Sequence, residues 1–218
     1  RIAWGKWLNG GQTCVAPDYV LVHEAVAEGF LKSLISWTKK MYPSRGSFEF
    51  RYDEQSLLRF SSYLSANSRK IVYGGQASYP SILFGKSFKG NLMREEIFGP
   101  VLPVIPYRDE KELYAYLDQH PYPLAFYLFT NSKSKKNQLT KNFQFGGGMI
   151  NDTILHLTSD VAPFGGIRFS GQGSYHGRYG FEAFSHMRTV VESSTKFEIP
   201  FILPPYGQRF TFIRKILY

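Results

Sequence analysis

Segments with the apolar spacing of a helix alternate with short apolar segments of strand type, and this alternation constrains the fold more than any other feature. Helical spacing occurs at 24–41, 53–67, 109–118 and 131–142. Strands are predicted at 70–73, 79–84, 101–105, 124–129 and 146–150. Helices and strands in this order predict an α/β fold, with a mostly parallel twisted sheet flanked by helices.

Three of these segments carry finer predictions. Asp53 is placed to cap the helix that follows it. Pro103 cannot donate a backbone hydrogen bond, so the strand at 101–105 is predicted to lie at a sheet edge or to contain a bulge. The continuous apolar run at 124–129 is typical of a buried strand.

The character of the chain changes at Pro163. The segment PFGGIRFSGQGSYHGRYG is rich in glycine and shows no periodicity, so we predict a long ordered loop. A short helix is predicted at 181–186 and a strand at 187–192. The apolar and basic tail that follows is not expected to form a domain by itself.

The formal net charge of +9 raises the question of nucleic-acid binding. The positive residues are scattered, however, and the densest group, at 133–141, fits the solvated face of a helix. Charge without a recognisable binding module is weak evidence, so no nucleic-acid partner is predicted.

The single cysteine, Cys14, excludes an intrachain disulfide and a cysteine-rich zinc site. We therefore predict no metal and a reducing compartment, the cytoplasm. No apolar run approaches the roughly 18 residues that span a membrane. The first residues, RIAWGKWLNG, have neither an initiator methionine nor a signal-peptide layout, and we interpret the sequence as a fragment that begins within a helix.

Cys14 lies in NGGQTCVAPDYVLV, and two functions are open to it. A nucleophilic cysteine must be a thiolate with room for a substrate carbon. The glycines before Cys14 permit tight turns, and a turn at the end of a sheet exposes backbone N–H groups that could hold an oxyanion. The alternative is a buried structural cysteine, which is common for this residue type.

A second candidate segment, MREEIFGPVLPV, places Glu95 and Glu96 before an apolar strand. On an extended backbone the two carboxylates point to opposite faces, so one could face a cleft while the other meets solvent. A solvated loop end is the alternative. The glycines after Asn151 do not form GxGxxG behind a strand, so no dinucleotide fingerprint is present.

Taken in this order, GQTCVAPDYVLV, EEIFGPVLPV, and ND followed by PFGGIRFSGQGSYHG resemble the second half of an aldehyde dehydrogenase, in particular its class 3 branch, which includes fatty aldehyde dehydrogenases. The resemblance is weakest beyond about Ser193. It implies an oxidoreductase that converts aldehydes to carboxylic acids with NAD or NADP. It also divides the chain into a catalytic domain at 1–162, a glycine-rich loop and bridging segment at 163–192, and a C-terminal arm at 193–218.

The resemblance assigns residues as well. Cys14 matches the nucleophile, whose thiolate attacks the aldehyde carbon to give a thiohemiacetal; hydride transfer to the nicotinamide then leaves a thioester that water hydrolyses. Glu96 matches the residue that binds the nicotinamide-side ribose, and Phe98 matches the aromatic residue near the nicotinamide. Asn151 and Phe164 match positions beside the substrate tunnel, as a substrate pocket.

The family's dinucleotide-binding half, which carries the oxyanion-hole Asn and the usual general base, does not match any part of this sequence. We therefore expect the chain alone to bind cofactor poorly and to be inactive. A non-catalytic assembly or interaction module is the alternative function. Ile167, Arg168 and Phe169 stand where the family often has small or polar residues, and Arg168 is given no role.

The end of the chain carries the predictions about partners. In the family a C-terminal strand joins a sheet between subunits, and 189–192 fits that role, which implies a homodimer. Arg209, Arg214 and Lys215 are interleaved with Phe and Ile, so the tail either packs on the partner chain or contacts an anionic membrane surface peripherally. The aromatic content of 17% favours an apolar aldehyde substrate, of medium to long chain or aromatic.

Overall fold

The structure, a computed structural model, describes residues 1–197, 204–205, 207 and 210–217. The chain divides into two compact units, Arg1–Phe184 and Ser185–Tyr218. The segment boundaries predicted at 162/163 and 192/193 rest on the family resemblance rather than on compactness, and they stay predictions.

The first unit contains six α-helices and six strands. The helices are α1 (Ile2–Trp7), α2 (Glu24–Met41), α3 (Glu54–Ala66), α4 (Glu110–Gln119), α5 (Lys133–Asn142) and α6 (Gly177–Ala183). The strands are β1 (Val20–His23), β2 (Ile71–Tyr73), β3 (Ser81–Phe84), β4 (Val101–Tyr107), β5 (Ala125–Leu128) and β6 (Gly147–Ile150).

Local side-chain hydrogen bonds explain where several helices begin. Asp53 Oδ1 accepts from the backbone N–H of Ser56 at 2.7 Å, which confirms the predicted cap of α3. Asp109 caps α4 in the same way, accepting from Glu112 at 2.9 Å. Each such cap contributes about 1 kcal/mol and depends only on neighbouring residues. The sequence therefore predicts these starts closely.

The sheets confirm the predicted α/β class. Four strands pair in the order β1-β4-β3-β2, with β4 parallel to both β1 and β3 and with β2 antiparallel to β3. The remaining strands, β5 and β6, form a separate parallel pair. The sheet structure is mostly parallel, but it is divided into two sheets.

The predicted position of Pro103 at an edge or bulge is wrong. Pro103 lies in β4, a central strand, in register with Leu83 of β3. The proline removes one hydrogen-bond donor, a loss of about 1 kcal/mol. Six of the seven residues of β4 are buried, and each large apolar side chain contributes roughly 1.5–3 kcal/mol on burial. Burial therefore outweighs the missing bond, and the irregular pairing occurs instead between β2 and β3.

The strand predicted at 124–129 is confirmed as β5, but it is not buried. All four of its residues are only half-buried, and so are the four residues of β6. Within the described part of the chain, the strand β5 pairs only with β6, and its side chains line a cleft, so no helix or second sheet covers that side of the strand. The apolar run therefore lines a surface rather than a core.

Two apolar clusters form the core on opposite faces of the four-stranded sheet. Ile82 and Leu102 pack with residues of α1 and α2, whereas Leu83 and Val101 pack with residues of α3. Successive residues of a strand point to opposite faces, so neighbouring positions divide between the two clusters. The sheet is thereby covered by helices on both sides.

The glycine-rich segment is ordered by its own contacts. Phe164 and Tyr175 exchange two backbone hydrogen bonds of 2.9 Å and close the loop between them. The helix predicted at 181–186 begins earlier, as α6. The strand predicted at 187–192 is not formed within the single chain, where Met187, Val190 and Val191 are exposed.

The second unit contains one described helix, α7 (Phe210–Leu217). Arg214 and Lys215 of the predicted arm lie in its last turn, whereas Arg209 lies outside the described residues. No helix in the described ranges is long and apolar enough to cross a membrane.

Candidate active site

The loop that carries Cys14 is held against the EEIFGP segment by a close approach of two backbones. Gly11 has a φ of +79°, and a Cβ atom there would lie 2.3 Å from the carbonyl oxygen of Gly99. Only glycine fits such a contact at that φ without strain. The two motifs, far apart in the sequence, are thereby adjacent.

Asp18 provides a second link between the same segments. Its Oδ1 accepts a hydrogen bond from the backbone N–H of Ile97 at 3.0 Å, next to Glu96. Burial raises the pKa of Asp18, while the positive charge of Lys6 acts in the opposite direction. The position of Glu96 relative to the Cys14 loop therefore depends on a partly desolvated carboxylate.

Tyr127 of β5 links the two-stranded sheet to the Cys14 loop. Its hydroxyl donates to the carbonyl of Val15 at 2.7 Å and accepts from the N–H of Ile154 at 3.1 Å. Burial raises the pKa of Tyr127 to about 12, so the hydroxyl keeps its proton at neutral pH. This side chain fixes the residue directly after Cys14.

Cys14 and Glu96 line the same open cleft, which has a volume of about 1250 Å³. The Cys14 side chain is exposed, so a buried structural cysteine is excluded. Phe126, Phe129 and Phe169 supply part of an apolar wall. The arrangement presents a thiol, a carboxylate and aromatic surface to one volume.

The two adjacent glutamates have different surroundings. Glu95 accepts a hydrogen bond from the Tyr63 hydroxyl at 2.7 Å. The Glu96 carboxyl has a raised pKa, because of desolvation and then the negative charge of Asp18, with Lys6 and Arg59 opposing the shift. Arg59 also donates to the Glu96 carbonyl at 3.0 Å and so holds the backbone there. Both glutamates line the cleft, so the expected division between one cleft-facing and one solvent-facing glutamate is wrong. They differ instead in the groups that act on their carboxyls.

Lys6 is a residue of this site that the sequence patterns do not indicate. It lies in α1 and is completely buried. Burial lowers its pKa to about 8, with Asp18 and then Glu96 raising it against that effect. The signal in the sequence is a charged residue inside the apolar run around Trp4 and Trp7, and it does not reveal which groups surround it.

The other predicted site residues lie outside the wall of the cleft. Phe98 is 40% exposed and has a φ of +44°. Asn151 uses its amide to join β6 to Thr130, accepting from its N–H at 2.8 Å and donating to its carbonyl at 3.1 Å. Phe164 packs against the rings of Tyr175 and His176. The predicted roles of Phe98, Asn151 and Phe164 stay predictions.

Phe169, one of the residues that depart from the family pattern, does line the cleft, with 89% of its side chain exposed. Its neighbour Arg168 has a φ of +51° and places its guanidinium 4.8 Å from the centre of the Tyr122 ring. Among the described residues, no group of three or more His, Cys, Asp or Glu side chains is placed to hold a metal ion.

The comparison with protein families follows the same segments. Residues 1–190 match the sequence pattern described as "Aldehyde dehydrogenase family". The chain belongs to the aldehyde dehydrogenase family. The match includes the Cys14 loop, the EEIFGP segment and the glycine-rich loop, and it ends before the C-terminal arm.

Individual relatives support the same assignment and its class. The chain is 38% identical to the 4,4'-diaponeurosporen-aldehyde dehydrogenase of Staphylococcus aureus, over 98% of this chain and 49% of that protein. It is 35% identical to aldehyde dehydrogenase family 3 comG of Dictyostelium discoideum, over 94% of this chain and 46% of that protein. The chain thus spans about half the length of these curated relatives, and the resemblance to class 3 is confirmed.

The fold is shared with a solved structure of the family. The substrate-bound state of Staphylococcus aureus AldH superimposes with a TM-score of 0.92 at 37% identity, covering 100% of this chain and 50% of that one. The predicted catalytic-domain fold of an aldehyde dehydrogenase is therefore confirmed for this chain.

Proposed function

We propose that the chain supplies the thiol-bearing part of an NAD(P)-dependent aldehyde dehydrogenase that oxidises aldehydes to carboxylic acids. The observation that carries the proposal is the exposed Cys14 thiol in the same cleft as Glu96. A structural cysteine would be buried, and a carboxylate with no role in the cleft would be free to lie anywhere on the surface.

Cys14 performs the covalent chemistry in this proposal. Its thiolate attacks the aldehyde carbon and forms a C–S bond, while the carbonyl oxygen becomes the oxyanion of a thiohemiacetal. The nicotinamide cofactor, when bound, supplies the hydride acceptor. Water then adds to the Cys14 thioester, the C–S bond breaks, and the acid leaves with the thiolate restored. The backbone near Gly11 and Val15, held by the contacts above, keeps the sulfur in one position during both steps.

The cleft fits part of a dinucleotide. Small-molecule sites usually measure about 300–1,000 Å³, so the volume of about 1250 Å³ is sufficient for a substrate beside a nicotinamide riboside. Glu96 would accept hydrogen bonds from the ribose hydroxyls, because an ionised carboxylate has only acceptors to offer. Phe98 would pack near the nicotinamide. Members of the family use NAD or NADP, and both are candidates here.

The substrate we propose is an apolar aldehyde, of medium to long chain or aromatic. The support is the aromatic wall of Phe126, Phe129 and Phe169 in the cleft that holds Cys14. Asn151 and Phe164 are proposed to shape the substrate pocket from behind, Asn151 through its hydrogen bonds to Thr130.

We further propose a cytoplasmic homodimer. The exposed apolar residues Val190 and Val191 lie where the family resemblance predicts an intersubunit strand, and exposed apolar strand residues favour pairing with another chain. The arm beyond 193 packs on the partner chain in this proposal, and peripheral contact with an anionic membrane through Arg214 and Lys215 is the competing role for α7.

The test is alkylation of the only cysteine in the chain. A nucleophilic Cys14 is expected to react with iodoacetamide at neutral pH faster than a free model thiol. Mass spectrometry follows the reaction, and Cys14→Ser gives the blank. Ordinary or blocked reactivity would contradict the catalytic proposal and favour a non-catalytic assembly module.

Turnover provides a second measurement. The isolated chain, mixed with an aldehyde and NAD or NADP, is expected to give no increase in the absorbance of reduced nicotinamide. Sustained turnover would show that the 218 residues contain the whole cofactor site, contrary to our expectation.

A further inference from the structure

Lys6 is buried in a way that is unusual for its residue type. Its side chain has no exposed surface, and Gly5 and Trp7 on either side of it are buried as well. Among the described residues its Nζ has no hydrogen-bond partner and takes part in no ion pair. Lysine is almost never fully buried without a partner, so this ammonium requires an explanation.

The charges that act on Lys6 are the carboxyl groups of Asp18 and Glu96. Asp18 and Glu96 raise the pKa of Lys6, and Lys6 in turn lowers the pKa of each carboxyl. Arg59, from α3, acts on both carboxyls in the same direction as Lys6, and His120 acts on Asp18. Lys6 is the cation of this group that has no contact with solvent.

A hydrogen bond of Asp18 links these charges to the position of the backbone. Its carboxylate accepts from the N–H of Ile97 at 3.0 Å, and Ile97 directly follows Glu96. An ionised carboxylate accepts a stronger hydrogen bond than a protonated one. Burial favours the protonated form of Asp18, and the positive charge of Lys6 is the largest influence that favours the ionised form.

We propose that Lys6 is a positioning residue: its buried ammonium is the counter-charge that keeps Asp18 ionised, and thereby holds the Ile97 N–H and the adjacent Glu96 against the Cys14 loop. The consequence for the reaction rests on the function proposed above, whereas the coupling of Lys6 to Asp18 does not.

Lys6 contributes to this geometry at a cost in stability. Its pKa in the folded chain, about 8, is below the ordinary value of 10.5. Between these values the unfolded chain binds more protons, so the Lys6 contribution to stability increases with pH from about 8 to 10.5 and is unfavourable at pH 7. A lysine that served only packing would not be expected both to destabilise the fold at pH 7 and to lower the pKa of Asp18.

The first test uses the unaltered chain, labelled with 15N at lysine side chains and 13C at carboxyl carbons, in an NMR titration. We expect the Lys6 ammonium to titrate near pH 8, and the carboxyl carbons of Asp18 and Glu96 to show a second inflection at that same pH. Carboxyl carbons that show no inflection at the pH where Lys6 titrates would overturn the proposal.

The second test compares Lys6→Met with Lys6→Arg. Lys6→Met removes the charge and keeps the length, so the pKa values of Asp18 and Glu96 are expected to rise. Hydrogen-exchange protection of the Ile97 amide is expected to fall about threefold to tenfold. The urea midpoint at pH 7 is expected to increase. Lys6→Arg is expected to restore the carboxyl titrations and the Ile97 protection.

Lys133→Met is the matched control, because it removes one positive charge from an exposed position of α5. It is expected to leave the carboxyl pKa values, the Ile97 protection and the urea midpoint unchanged. If Lys6→Met lowers the urea midpoint and leaves both carboxyl titrations unchanged, Lys6 serves packing alone. If Lys6→Met does not fold, the titration of the unaltered chain decides.

Alkylation of Cys14 in the same samples separates the two proposals. If Cys14 is unreactive but Lys6 still affects the titration of Asp18 and Glu96, the catalytic function is wrong and the positioning role stands. If Cys14 is reactive but Lys6 has no effect on those carboxyls, the positioning role is wrong and the catalytic function stands.

Discussion

The strands β4 and β5 are both paired in parallel, yet their surroundings are opposite. In β4, Val101, Leu102 and Val104 have no exposed surface, because helices cover both faces of the four-stranded sheet. In β5 every residue is half-buried, and its side chains line the cleft. An apolar strand therefore stabilises the fold in one place and shapes a binding surface in the other.

Few side chains join the two regions. Tyr127 contacts the Cys14 loop through its hydroxyl, Thr153 donates to the Arg1 carbonyl at 3.2 Å, and the Arg1 guanidinium pairs with the Asp152 carboxylate. The four-stranded sheet thus provides most of the buried apolar surface, while the two-stranded sheet is positioned by a small number of hydrogen bonds. Three pairs of substitutions examine this difference.

The largest effect is expected for Leu102→Ala in β4. Removing a fully buried leucine leaves a cavity, and the free energy of unfolding should fall by about 3–5 kcal/mol. Leu128→Ala in the half-buried β5 is the matched change, with an expected loss of about 1 kcal/mol. Urea unfolding measures both. Equal losses would show that the two sheets contribute alike and would remove the contrast between them.

A smaller effect is expected for Gly11→Ala, at the contact between the two motif loops. A positive φ and a Cβ only 2.3 Å from the Gly99 carbonyl oxygen should together cost about 3 kcal/mol. Gly173→Ala controls for φ, since Gly173 has a φ of +70° with open space around it, and about 1 kcal/mol is expected there. Urea unfolding and Cys14 alkylation are measured together. Similar losses at both glycines would indicate that the backbone contact is unimportant.

The smallest effect is expected for Tyr127→Phe, which removes the hydroxyl between the two regions. Two hydrogen bonds to backbone groups are lost, so the free energy of unfolding should fall by about 1–2 kcal/mol, and the rate of Cys14 alkylation should change. Tyr179→Phe is the control, because Tyr179 is 40% exposed and lies outside the wall of the cleft. An unchanged alkylation rate in Tyr127→Phe would mean that Val15 is held by other contacts.

The predictions from sequence succeeded where a structure depends on near neighbours. The helix at 24–41 and the cap at Asp53 follow from apolar spacing and a side-chain acceptor three residues before its donor. Pro103 was predicted wrongly because a strand's place in a sheet depends on segments distant in the sequence. The apolar run of β5 could not reveal whether another layer covers it.

The candidate site divides in the same way. The local patterns left Cys14 and Glu96 with alternatives, the family resemblance selected them as site residues, and both line one cleft. Lys6 could not be identified from the motifs, because its pKa depends on burial and on two carboxyls brought close by folding. Phe169 was noted as a departure, but its place in the cleft wall required the fold.

By itself, the sequence determined the α/β class, most helix bounds and the family, because helix periodicity, capping and motif composition are properties of short segments. Only the tertiary structure decided that Gly11 contacts Gly99, that Asp18 accepts from Ile97, and that Lys6 is completely buried. Close packing and desolvation arise between segments that are distant along the chain, so local sequence patterns do not predict them.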